Sequence, residues 1–313
     1  MKKAVLLILA GALALGMCAC KKKETEPSVS FSVKSKETTE TTSDPGIYPV
    51  KMVCYYTKDS DDAAAFDNED NPYITEYYDE QGRVTTREEY AMRNGQLRFL
   101  TTNYKYNDDG SLKSYITYWS NSAIEKEVEY TYDGQGKLLE VNDGYEIVKY
   151  IYDDQGRLSE KQLSVEFGGE QDLLVVKKYE YSTDGFMVRE LTKQIKGEPY
   201  NDYFEDEIFW DDAVREYTYK DGVLVREVFS GQIPNGGEED YFNKEEVIEY
   251  EYGSKGNVLK AHKTVTDTFH EDGKTNVVTS VIILNYDEDG RLVSNRYSSD
   301  GEKNELIYKY YYD

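Results

Sequence analysis

Along most of the chain, apolar and polar residues alternate one by one, and a period of two places successive side chains on opposite faces of an extended strand. Val148, Tyr150 and Tyr152 fall on one face, Lys149 and Ile151 on the other. The same alternation sets Val128, Tyr130 and Tyr132 against Glu127, Glu129 and Thr131, and Ile248, Tyr250 and Tyr252 against Glu249 and Glu251. Tyrosine and β-branched residues suit such a half-buried, pleated surface. Beyond the first residues of the chain, no helical period of useful length interrupts the pattern.

The runs are punctuated by turn chemistry. Asp109-Gly110, Asp184-Gly185, Asp221-Gly222 and Asp289-Gly290 each follow an alternating run, with Asp to start the bend and Gly to take the positive φ. A second set of turns is expected between these, at Asn94-Gly95, Asn121, Asp143-Gly144, Gly168-Gly169, Asn235-Gly236, Asp272-Gly273 and Asp300-Gly301. A chain that reverses at both ends of its strands is an up-and-down antiparallel meander, here of roughly 16 to 18 strands. At about 4.8 Å per strand the sheet would be on the order of 80 Å wide, so it should curl instead of lying flat.

The turns belong to a repeat: Tyr, any residue, Tyr, three residues, Gly, a variable residue, then an aliphatic one. Clear copies are Tyr130-Thr131-Tyr132-Asp133-Gly134-Gln135-Gly136-Lys137-Leu138 and Tyr150-Ile151-Tyr152-Asp153-Asp154-Gln155-Gly156-Arg157-Leu158. Others centre on Gly82, Gly110, Gly185, Gly256 and Gly290, a shorter one on Gly222, and a ninth begins at Tyr310-Tyr311-Tyr312-Asp313. The form Tyr-Asp-x-x-Gly-Arg-Leu at Tyr152 to Leu158 and Tyr286 to Leu292 resembles the YD repeat of Rhs-type bacterial surface and toxin proteins, over about residues 73–313. That resemblance implies an all-β fold, an antiparallel meander of YD-type β-hairpin repeats forming a curled or spiralling sheet, and a surface that binds, in some members carbohydrate. The chain is short for a toxin-enclosing shell, so what the resemblance implies here is architecture and surface binding.

The N-terminus changes the picture of where the sheet works. Lys2 and Lys3, the apolar run Ala4 to Leu15 and the small-residue stretch ending at Cys20 have the order of an export signal, and the run is too short to span a bilayer. Leu15-Gly16-Met17-Cys18-Ala19-Cys20 resembles a lipoprotein lipobox, which implies lipid attachment at Cys20, with Cys18 as the alternative. The expected organisation is a signal peptide at 1–19, a flexible tether at 20–46 rich in Lys, Glu, Ser and Thr, and a repeat domain at 47–313, held at the bacterial cell envelope by a membrane anchor.

Charge narrows the partners. The net charge is −24, and removing residues 1–19 takes away two lysines and no acids. Such a surface repels nucleic acid and favours cationic partners. Cys54 is the only cysteine left after residue 20, so no disulfide within the domain is available, and its setting predicts a small buried strand residue.

Candidate chemistry is sparse. His262 and His270 are eight residues apart, roughly 26 Å along one strand, which is too far for a shared metal. Nucleophile-elbow, zinc-protease and phosphate-loop motifs are lacking, and the acidic stretch Asp59 to Asp70 has neither the glycine nor the distal glutamate of a calcium loop. No cofactor and no metal are expected. The distinctive feature is an expansion between repeats, Glu198 to Asp212, mixing Tyr203, Phe204, Phe209 and Trp210 with carboxylates, followed in the next interval by Tyr241 and Phe242. These six aromatics are the ligand-binding candidates, on a rim where repeat proteins place binding insertions, although the same rings could plug one end of the core. The function expected is a non-enzymatic binding or adhesion module for a glycan or a cationic protein; the alternatives are a carbohydrate-active enzyme using paired carboxylates and a purely structural envelope protein.

Overall fold

The alternating runs become strands throughout. The computed structural model describes residues 48–312 except 58–65, 67, 71, 94–95, 121–122, 168, 196–212, 238–239, 270–272 and 300–301. Among the described residues there are eighteen strands and no helix. They are β1 Lys51–Tyr56, β2 Ile74–Tyr78, β3 Val84–Arg93, β4 Gln96–Tyr106, β5 Leu112–Trp119 and β6 Ile124–Tyr132. Next come β7 Leu138–Asn142, β8 Glu146–Tyr152, β9 Leu158–Phe167, β10 Glu170–Tyr181, β11 Met187–Gln194 and β12 Ala213–Lys220. The last are β13 Val223–Gly237, β14 Asp240–Tyr252, β15 Val258–Phe269, β16 Thr275–Tyr286, β17 Leu292–Ser299 and β18 Glu302–Tyr311. They form one 18-stranded sheet, and consecutive strands pair antiparallel, as a meander requires.

The expectation of a curled or spiralling sheet needs correcting. β1 pairs antiparallel with β2 on one side and with β18 on the other, so the first and last strands are neighbours and the strand order closes on itself. A local repeat pattern carries no information about which strand meets the open edge of the first one. Pairing of the two removes the unpaired N–H and C=O groups that each would otherwise present.

All eight repeat glycines sit at positive φ, Gly156 for example at 78°. Asp221, beside Gly222, is the one positive-φ non-glycine among the described residues, at 53°, as the two-residue turn of the shorter repeat demands. Six of the repeat hairpins show a register shift just before the second tyrosine, where one residue of the outgoing strand is left unopposed. Among the second set of turns, Gly144, Gly169 and Gly273 also have positive φ. Asn235-Gly236 is a correction: both lie inside β13, at a register shift between Pro234 and Gly237, and the chain reverses between Gly237 and Asp240.

The chain divides into two compact units, one of residues 1–129 and 282–313, the other of residues 130–281. Each buries the tyrosine-bearing face of its strands. In the first, Cys54, Ile74, Leu100, Val128, Leu284 and Tyr308 are buried. In the second, Leu163, Val175, Tyr179, Tyr217 and Ile248 are. Cys54 is fully enclosed, and burial pushes its thiol pKa far up, so it is a packed strand residue and not a nucleophile.

Candidate functional site

The repeat motif has a residue-by-residue physical meaning. The aspartate after the second tyrosine bends the chain by accepting backbone hydrogen bonds: Asp153 Oδ1 accepts from Gln155 N at 2.9 Å and Arg157 N at 2.8 Å, and Asp133 does the same for Gln135 and Lys137. Both aspartates are half-buried, and the backbone donors, Lys137 N and Arg157 N first, hold their pKa values below the usual carboxylate range. The basic residue after the glycine returns to the same aspartate, as Arg157 Nε does to Asp153 Oδ2 at 2.7 Å and Arg83 Nε does to Asp79 Oδ2 at 2.7 Å.

That same basic side chain then lies over the second tyrosine of the next repeat. Arg83 sits 4.6 Å from the Tyr106 ring centre, Lys137 5.1 Å from Tyr152, Arg157 4.5 Å from Tyr181 and Arg291 5.0 Å from Tyr312. Three of these tyrosines donate their hydroxyl to the backbone of the preceding repeat: Tyr106 to Val84 O at 2.7 Å, Tyr152 to Leu138 O and Tyr181 to Leu158 O at 2.8 Å. At the Tyr106, Tyr152 and Tyr181 junctions a hydrogen bond and a cation–π contact together staple one repeat turn to the next.

The inward faces carry a feature that sequence reasoning missed. In the first unit the Arg87 guanidinium lies 3.1 Å from Glu76 and 2.7 Å from Glu89. Burial opposes its charge, but the two carboxylates outweigh burial and raise its pKa. In the second unit Arg215 lies 3.2 Å from Glu227 and 3.9 Å from Glu246, and Lys263 lies 2.6 Å from Glu246. Tyr250 donates its hydroxyl to Glu227 at 2.7 Å, and burial, then the Glu227 charge, raises its pKa. Glu190 pairs with Lys177 at 3.5 Å. The signal was present in the alternation: Glu246 lies on the side of Ile248, Tyr250 and Tyr252, with the apolar face and not against it.

The candidate residues fare differently. Cys18, Cys20, Tyr203, Phe204, Phe209 and Trp210 lie outside the described residues, as does His270. The 198–212 insertion lies between β11 and β12, which pair in register from Arg189 opposite Glu216 to Thr192 opposite Ala213. Tyr241 and Phe242 are the second and third residues of strand β14, next to its turn. Phe242 stands opposite Phe269 with ring centres 5.6 Å apart, a cross-strand pair typical of sheet packing. His262 stands opposite Glu249, and its Nε2 reaches diagonally to Glu251 at 3.2 Å. Among the described residues no group of His, Cys, Asp and Glu has the arrangement of a metal site.

The repeat geometry finds its counterpart in a known family. The teneurin YD-shell family model matches residues 52–204, just under half of the chain. Over those residues the chain is similar to the YD-repeat family. No curated protein matches it in sequence. Among solved structures, a porin-like protein from Bacteroides uniformis is 10% identical, covers 85% of this chain and 100% of its own, and has a TM-score of 0.41. The TcdB2-TccC3-Cdc42 complex is 13% identical over 72% of this chain, with a TM-score of 0.19, and the match spans only 15% of that chain.

Proposed function

We propose that this YD-repeat protein is an exported, lipid-anchored, non-enzymatic binding module that holds a glycan or a cationic protein at the bacterial cell envelope. Residues 1–19 direct export, Cys20 (or Cys18) carries the lipid, residues 20–46 form the tether, and the 198–212 insertion presents Tyr203, Phe204, Phe209 and Trp210 to the ligand. The observation that carries the reading is the unbroken β11–β12 ladder on either side of the insertion. A sheet that is complete without a segment leaves that segment free for recognition. Residues 198–212 contain seven carboxylates and no basic residue, which suits a cationic ligand, while the four rings suit stacking on sugars.

The inward carboxylates support the scaffold reading over the enzymatic one, because Glu76 and Glu89 flank Arg87, and Glu227 and Glu246 flank Arg215. Carboxylates neutralised in ion pairs hold strands together; a glycosidase keeps one protonated acid and one free carboxylate facing its substrate. Glu127, Glu129, Glu249 and Glu251 on the exposed side likewise oppose a lipid-facing outer surface.

Single replacement of Tyr203, Phe204, Phe209 and Trp210 by Ala tests the assignment. Capture of a glycan array or of whole cells should fall while the unfolding midpoint stays at the parent value. Retained capture would end the recognition reading, and a loss of about 3 kcal/mol of stability at Phe209 and Trp210 would place those rings in the core instead.

A further inference from the structure

The first unit contains one hairpin without a turn. In an ordinary repeat the first tyrosine stands opposite the third residue after the aliphatic position, and the residue between the tyrosines opposite the second. Tyr150 faces Lys161 and Ile151 faces Glu160; Tyr104 faces Tyr115 and Lys105 faces Ser114; Tyr250 faces Ala261 and Glu251 faces Lys260. The ninth copy, Tyr310 to Tyr312, obeys the same register with a strand from the other end of the chain. Tyr310 faces Met52 and Tyr311 faces Lys51.

Counting back from Met52 by the spacing that separates Lys161 from Arg157 brings the arginine position of this repeat to Tyr48. The side chain there behaves as its counterparts do. Arg83 lies over Gly110, Lys137 over Gly156 and Phe186 over Gly222, each one repeat further on, and the Tyr48 ring lies against Gly82 so closely that a Cβ there would collide with it. Val50, at the unopposed position, donates its backbone N–H to Tyr311 O at 2.8 Å. From its other side it accepts from Tyr78 N at 3.0 Å.

We propose that residues 48–52 are the outgoing half of the ninth repeat, and that the edges of β18 and β2 form a strand-binding groove whose occupant is the chain's own β1. Two further contacts seat that strand. Tyr56 N donates to Phe66 O and Tyr73 N to Cys54 O, both at 2.8 Å. Glu69 bridges to Lys309 and Tyr311 on the neighbouring strand. Met52, Val53, Cys54 and Tyr56 are all buried, so side chains on both faces of β1 are covered. The groove therefore reads an extended segment with an aromatic or basic residue at its start, a small residue at the Cys54 position and unbranched packing at Met52. The proposed tether consequently joins the sheet at the strand that completes this repeat.

The test uses the full chain with a site-specific protease sequence placed between Thr57 and Phe66. After folding and cleavage, β1 should co-elute with the remainder under native conditions and leave only in denaturant. Once β1 has been removed in denaturant and the remainder refolded, a fluorescent peptide of residues 48–57 should occupy the groove, and the same peptide carrying Tyr48→Ala and Met52→Asp should bind at least tenfold more weakly. Separation of β1 under native conditions from a remainder with an unchanged unfolding midpoint overturns the proposal. Should the insertion block folding, two variants of the intact chain decide: Tyr48→Arg restores the repeat residue and should keep the parental midpoint, whereas Tyr48→Ala should lower it. Equal loss in both overturns the assignment of Tyr48. None of these readouts depends on lipid attachment or on ligand capture, so the anchoring and recognition readings stand or fall separately.

Discussion

A single hydroxyl shows how the repeat is held. Tyr152 donates to Leu138 O across a strand boundary, and its ring is covered by Lys137. Replacing it with Phe keeps the ring and its cation–π contact and leaves the Leu138 carbonyl without its donor, so the loss should be about 1 kcal/mol. Urea unfolding of Tyr152→Phe beside Tyr145→Phe, whose ring is exposed, measures it. Equal midpoints for the two would mean that water replaces the hydroxyl at Leu138. Chemistry at this scale is what the motif encodes: the aspartate and glycine act within a few residues of themselves, and their roles follow from short-range geometry that a linear pattern reports directly.

At the scale of the element, turns and paired strands respond to different perturbations. The folded-state pKa of Asp153 is depressed, by the Arg157 backbone donor first and then by the Arg157 side chain, so its proton is held more tightly in the unfolded chain. Its stabilising contribution is therefore complete above the unfolded value of about 3.9 and is lost as pH falls through the lower folded value. Thermal unfolding of Asp153→Asn should show a deficit against the parent that is full above about pH 5 and shrinks on further acidification. A deficit independent of pH would locate the role of Asp153 in its shape and not its charge.

The ion pairs between β12, β13, β14 and β15 make a second prediction at this scale. Arg215→Met leaves Glu227 and Glu246 with less compensation and should cost roughly 2 kcal/mol or more; the 3 to 5 kcal/mol of a fully buried pair is an upper bound, because the Arg215 side chain keeps 30% exposure. Adding Glu227→Gln removes the uncompensated charge and keeps an acceptor for Tyr250, so the double variant should be more stable than Arg215→Met alone. Guanidinium melts of the two variants compare them, and a double variant weaker than the single one contradicts the charge argument.

For the whole molecule, acidity and attachment act together. A surface of net charge −24 is repelled by anionic lipid, so the proposed membrane attachment rests on the acyl chains of the lipidated cysteine. Cys20→Ala should move the protein from the membrane to the soluble fraction and abolish palmitate labelling. Label that persists on Cys18 would move the site by two residues, and label unchanged by both replacements would end the lipoprotein reading. Acidity also predicts that capture of a cationic ligand weakens as salt rises, whereas stacking on a glycan is little affected.

The sequence by itself determined the strand class, the eight repeat turns, the shared face of Val148, Tyr150 and Tyr152 and the burial of Cys54, because each depends on residues close together in the chain. It also placed the insertion at 198–212 outside the repeat, since a break in a periodic pattern is visible without a structure. Only the tertiary structure decided that β18 meets β1, that Tyr48 takes the arginine position of the ninth repeat, and that Asn235 and Gly236 lie within a strand instead of at its end. Only it decided, too, that Glu227, Glu246 and Lys263 are buried together. The physical reason is common to all four. Hydrogen-bond partners across a sheet and countercharges on neighbouring strands are chosen by where distant segments come to lie, and a pattern of period two records which face a side chain takes but not which strand lies beside it.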